Sequence, residues 1–130
     1  MAMYTTAVCD KGLEWQFKYG DDQCETYRLN QPPKQGIYEP VPDNIYEGFL
    51  FNGEGVNFKG SYALLLIHGN RLLEVKPLIL EEVVSSGGIE PMARAMYAKH
   101  SIPVPKDLEY WLQDEVQDFM WDNFPNGLPD

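Results

Sequence analysis

Two cysteines, Cys9 and Cys24, and two histidines, His68 and His100, are the side chains of this chain best suited to bond chemistry. Four such groups would suffice for a tetrahedral zinc ion, but structural zinc sites draw their ligands from closely spaced pairs. No such pair occurs here, so zinc is not expected. A Cys or Ser nucleophile would need a histidine base from a distant part of the chain, and no local pattern marks one. His68 reads as a residue beside a turn and His100 as a helix end, places where a lone histidine is usually structural. Glu81 with Glu82, and Asp21 with Asp22, read as solvated pairs, because nothing apolar surrounds them to drive their proton affinities apart. The run Asn52-Gly53-Glu54-Gly55 lacks the Gly-Lys-Ser/Thr ending of a phosphate loop and reads as turn chemistry. The sequence therefore predicts no catalytic residue, no metal and no cofactor.

A different pattern stands near the C-terminus. Lys106 to Phe124 reads as a final helix, stopped by Pro125 and Gly127. At about 100° per residue, Leu108, Leu112, Val116, Phe119 and Met120 share an apolar sector. Asp107, Asp114, Glu115, Asp118 and Asp122 gather on the other side. In an unbroken helix Asp114, Asp118 and Asp122 form a ladder of like charge, spaced about 6 Å along the axis. Each like-charged neighbour costs a few tenths of a kcal/mol, and acids in a last turn also oppose the helix dipole. No Lys or Arg follows Lys106 to offset either cost. Trp111 falls within the acidic face and Tyr110 and Trp121 flank it; large aromatics ringed by charge make good interface anchors. Tyr110, Trp111, Asp114, Glu115, Asp118, Trp121 and Asp122 are thus the predicted partner-binding set. The competing reading is an ordinary solvated face with Trp111 covering a loop. A hard cation is a poor fit, since carboxylates from one helix rarely fill six coordination positions.

The charge of the whole chain points the same way. Ten Lys and Arg face twenty Asp and Glu, for a formal charge of −10. Direct binding to nucleic acid depends on cations that release counterions, and anionic membranes select for the same residues. Both are disfavoured. A basic partner would instead be attracted and its encounter accelerated. At 130 residues, 44% of them hydrophobic, the chain reads as one globular domain over 1–130 that needs no staple to fold. Two isolated cysteines suggest a reducing compartment. The N-terminal residues lack the pattern of a secretory signal, and no apolar run approaches membrane-spanning length. The expected location is the cytoplasm.

The elements that must carry these residues read as sheet, then helix. Leu13 to Tyr19 alternates strictly, Gly20-Asp21-Asp22-Gln23 offers a turn, and Cys24 to Leu29 alternates again, which predicts a hairpin. Tyr4 to Cys9 is a third strand beside it. Gln31 to Asn44 contains Pro32, Pro33, Pro40 and Pro42 and reads as an extended loop. Ile45 to Phe51 and Ser61 to His68 are strands joined through Gly53, Gly55 and Gly60, and a turn at Gly69-Asn70 returns the chain as Arg71 to Val75. Pro77 to Ser86 begins a helix ended by Gly87-Gly88, with a strand continuing through Leu80 as the alternative. Ile89 to His100 is a second helix, with Pro91 near its start and Pro103 and Pro105 after its end. The predicted class is α+β: an antiparallel meander of about five strands packed by two or three C-terminal helices.

In composition and size alone, the chain resembles the small acidic proteins with which phages and mobile elements oppose host nucleic-acid machinery. That resemblance implies an inhibitor without enzymatic activity, whose partner is a basic host protein or complex that handles nucleic acid. An immunity or antitoxin protein against one basic toxin is the alternative, and a small enzyme using His68 or His100 a further one.

Overall fold

The computed structural model describes residues 5–8, 14–17, 26–31, 41–52 and 62–126. Cys9, Cys24, Asp21, Asp22 and the glycines at 53, 55 and 60 lie outside them, as do Pro32, Pro33 and Pro40 of the expected loop. The chain is α+β and divides into two compact units, Met1–Pro77 and Leu78–Asp130.

The first unit is a six-stranded sheet: β1 (Thr5–Val8), β2 (Glu14–Phe17), β3 (Thr26–Arg28), β4 (Asn44–Asn52), β5 (Tyr62–Ile67) and β6 (Leu72–Pro77). Their order across the sheet is β3-β1-β2-β4-β5-β6. Two expectations are corrected here. The sheet is mixed, because β1 and β3 run parallel. The strands at 14–17 and 26–28 also do not form a hairpin with each other, for β1 lies between them. Alternation specifies which face a strand buries, and it leaves the neighbour open. Across the three strands Trp15, Ala7 and Tyr27 stand in register and are all buried. Small Ala7 leaves room between two large side chains, and Phe17 reaches across β1 to within 6.4 Å of the Tyr27 ring.

Phe17 also packs on Tyr46 of β4 at 5.3 Å between ring centroids. Beside them Gly48 is an enforced glycine, since a Cβ there would lie 2.9 Å from Leu65 Cδ1 and 3.1 Å from Trp15 Cβ. In β5, Ala63 to Ile67 are buried on both faces of the strand. The turn into β6 has two central residues at positive φ, Gly69 at 62° and Asn70 at 57°. His68 and Arg71 exchange backbone hydrogen bonds of 3.0 and 3.2 Å across it. This is the type I′ hairpin geometry that Gly and Asn favour.

The sheet curls until its two edges meet at one end. The backbone N–H of Asn30, just past β3, donates to the Leu72 carbonyl of β6 at 3.0 Å. The Tyr27 hydroxyl donates to Asn70 Oδ1 and accepts from the Val41 N–H.

The second unit holds α1 (Leu80–Ser86), α2 (Ile89–Lys99), α3 (Leu108–Glu115) and α4 (Gln117–Asn123). Glu81 and Glu82 sit in the first turn of α1, where the dipole favours them. Its end is a Schellman arrangement: Gly87 has φ 83°, and Gly88 and Gly87 donate to the carbonyls of Val83 and Val84. In α2 the buried residues Ile89, Met92, Ala93, Met96 and Tyr97 recur at helical spacing. Arg94 pairs with Glu90 at 2.9 Å on the exposed side. The stop of α2 falls ahead of the prolines. Ser101 takes a left-handed φ of 56°, and Ile102 and Ser101 donate back to Tyr97 and Ala98.

The last helix is two helices. The expected run from Lys106 to Phe124 breaks at Val116, whose φ of −101° and ψ of 45° leave the helical region. Neither glycine nor proline causes this. The sequence offers an electrostatic reason. An unbroken helix would stack Asp114 on Asp118, whereas the break places Asp118 in the first turn of α4, where the dipole stabilises it. A β-branched residue at the junction lowers the cost of leaving the helix.

Candidate acidic and aromatic partner surface

Both halves of the broken helix keep the expected apolar side inward. Leu108, Leu112, Val116 and Phe119 are buried, and Met120 is half-buried. The Phe119 and Phe124 rings meet edge to face at 6.0 Å. Asn123 closes α4 by donating from its side chain to the Phe119 carbonyl.

The polar side is where the predicted site residues lie. Asp107, Asp114, Asp118 and Asp122 are exposed and Glu115 is half-buried. The ladder of three is corrected to a pair: Asp118 and Asp122 remain one turn apart in α4, while Asp114 belongs to α3. The regular spacing expected along 114–122 therefore holds only within α4. Of the three aromatic residues, Tyr110 and Trp121 are 72% and 74% exposed. Trp111 is half-buried and has interactions of its own, so the flanking rings, more than the central one, face solvent.

Sequence reasoning missed a groove along the broken segment. An open depression of about 480 Å³ follows α3, Val116 and α4. Its apolar lining is Leu112, Val116, Met120, Trp121 and Phe124, and its polar lining Gln113, Gln117 and Asp118. The only hint was that the segment broke its own local rules.

The histidine candidates are placed less suggestively. His68 Nδ1 lies 3.4 Å from Asp43 Oδ2, with both side chains about half exposed. The other oxygen of Asp43 accepts from the Gly69 N–H at 2.8 Å. Asp43 thus clasps the β5–β6 turn to the start of β4, and the histidine completes that clasp. His100 is half-buried at the end of α2. Among the described residues no three His, Cys, Asp or Glu side chains are placed to hold a metal ion. Among them, too, no helix is long and apolar enough to cross a membrane.

No protein-family model, curated protein or solved structure matches the chain.

Proposed function

We propose that the protein is an inhibitory binder: its acidic and aromatic helical surface occupies a basic surface on a nucleic-acid-handling protein or complex, in the cytoplasm. One observation carries this reading. Tyr110 and Trp121 stand largely in solvent beside Asp114, Asp118 and Asp122, in a stretch with no cation after Lys106. Exposed large aromatics cost solubility and are rewarded where a partner desolvates them. The surrounding carboxylates would steer a cationic patch to the same place. Surfaces that track nucleic-acid phosphates carry cationic patches of this kind.

The test is competition. Immobilised protein should capture nucleic-acid-handling proteins from a lysate at physiological salt, and a short DNA duplex added to the column should displace them. A column bearing the D114N/D118N/D122N variant should capture far less. Displacement failing, or capture persisting on the triple variant, would refute the reading. So would micromolar binding of a duplex or single strand by the protein itself, measured by anisotropy.

A further inference from the structure

The groove along α3, Val116 and α4 has a shape and chemistry that single out one kind of occupant. We infer that it seats an amphipathic, lysine- or arginine-rich helical segment of the partner, with apolar side chains packing against Met120, Trp121 and Phe124. The inference rests on the reading of this surface as a partner site and specifies how the partner engages it.

The volume of about 480 Å³ lies within the range of roughly 300 to 1,000 Å³ that holds ligand-sized groups. It has room for more than one side chain. Its apolar lining includes Met120, whose unbranched thioether adapts to different shapes, and Trp121, which is 74% exposed and stands as one wall. Charge fixes the sign of the occupant. Asp118 is part of the lining, Asp114 and Asp122 are exposed on the same two helices, and no Lys or Arg lies between residue 107 and the C-terminus.

The secondary structure of the occupant follows from the backbone. The helices at 108–123 offer no strand edge, so an extended segment would gain no main-chain ladder and would bury unpaired N–H and C=O groups. A helix satisfies its own backbone and presents apolar residues three and four apart, which is the helix-in-groove mode of recognition. Gln113 and Gln117 supply polar contacts at the margin.

Three fluorescein-labelled synthetic peptides of about 18 residues, long enough to form a helix, decide it by anisotropy. The first is built from Leu, Lys and Ala with Leu at i, i+3, i+4 and i+7. The second has the same composition with the leucines scrambled, and the third keeps the leucine pattern with Glu in place of Lys. The first should bind at least tenfold more tightly than either control, and Trp121→Ala should weaken it at least tenfold. Circular dichroism should show that variant folded, because the side chain is exposed. Met120→Lys, which places a cation in the groove, should weaken the first peptide as much.

Equal binding of the scrambled peptide would mean attraction by charge alone. That would overturn the groove while leaving the proposed basic partner in place. Equal binding of the Glu peptide, indifference to Trp121→Ala, or no binding by any of the three would also overturn it. The duplex competition reads the proposed function separately, because a partner held by charge alone would still be displaced by DNA.

Discussion

In the sheet, Trp15, Phe17 and Tyr46 are buried completely, whereas in the last two helices Tyr110 and Trp121 stand 72% and 74% exposed. Both regions spend large aromatic side chains, and only the first gains fold stability from them. Trp15 shows how strongly packing rules there: its indole N–H is buried and has no hydrogen-bond partner among the described residues, an arrangement that costs on the order of 1–3 kcal/mol. The surrounding contacts outweigh that cost. Trp121 reverses the ledger. It takes little from the fold and remains available to another surface. The contrast separates residues that make the structure from residues that use it.

Mutations can break or sharpen that division. Trp15→Ala should be the most damaging, lowering stability by about 3–5 kcal/mol, as truncation of a buried large aromatic does; denaturant unfolding reads it directly. Gly48→Ala comes next, at about 1–3 kcal/mol, because the added Cβ meets Leu65 and the inflexible Cβ of Trp15. Tyr27→Phe leaves the Val41 N–H and Asn70 without their shared partner, and should cost about 1–2 kcal/mol. Trp121→Ala should change stability by no more than about 0.5 kcal/mol, while costing the partner complex at least tenfold, or about 1.4 kcal/mol. The smallest effect on the fold belongs to D118N/D122N. The change relieves a like-charged pair and removes an acid from the last turn of α4, but it gives up the favourable charge of Asp118 in the first turn, so stability should move by no more than a few tenths of a kcal/mol. In a partner complex the same change should slow association, and the difference should shrink as salt is added. A stability loss from Trp121→Ala as large as that from Gly48→Ala would erase the distinction between the two regions.

The sequence made some of this legible and hid the rest for identifiable reasons. The period-2 face of residues 14–17, the Gly69-Asn70 turn and the Gly87-Gly88 stop were each written locally and are present. The parallel pairing of β1 with β3 was not, because alternation carries no address for a neighbour. The clasp by Asp43 on the turn at 69 was equally invisible, since it joins residues far apart in the chain. At the candidate surface, the acidic and aromatic composition was plain. The break at Val116 was not, although the unfavourable stacking of Asp114 on Asp118 foreshadowed it. Helical periodicity assumes a straight axis and carries no sign of the depression along the broken segment.

The meeting of the sheet edges has a consequence for how the chain acquires its structure. The bond from Asn30, just past β3, to Leu72 of β6 joins the two edges of the sheet and residues far apart in the chain. Loop-closure entropy is spent before that contact returns anything, and domains dominated by such distant pairings fold in roughly milliseconds to seconds. Helical segments like 80–99 and 108–123 relax in about a microsecond or less. The closing of the sheet should therefore set the pace of refolding. Tyr27→Phe, placed at that closure, should report the timing: it slows refolding if the edges meet in the transition state and speeds unfolding if they meet afterwards.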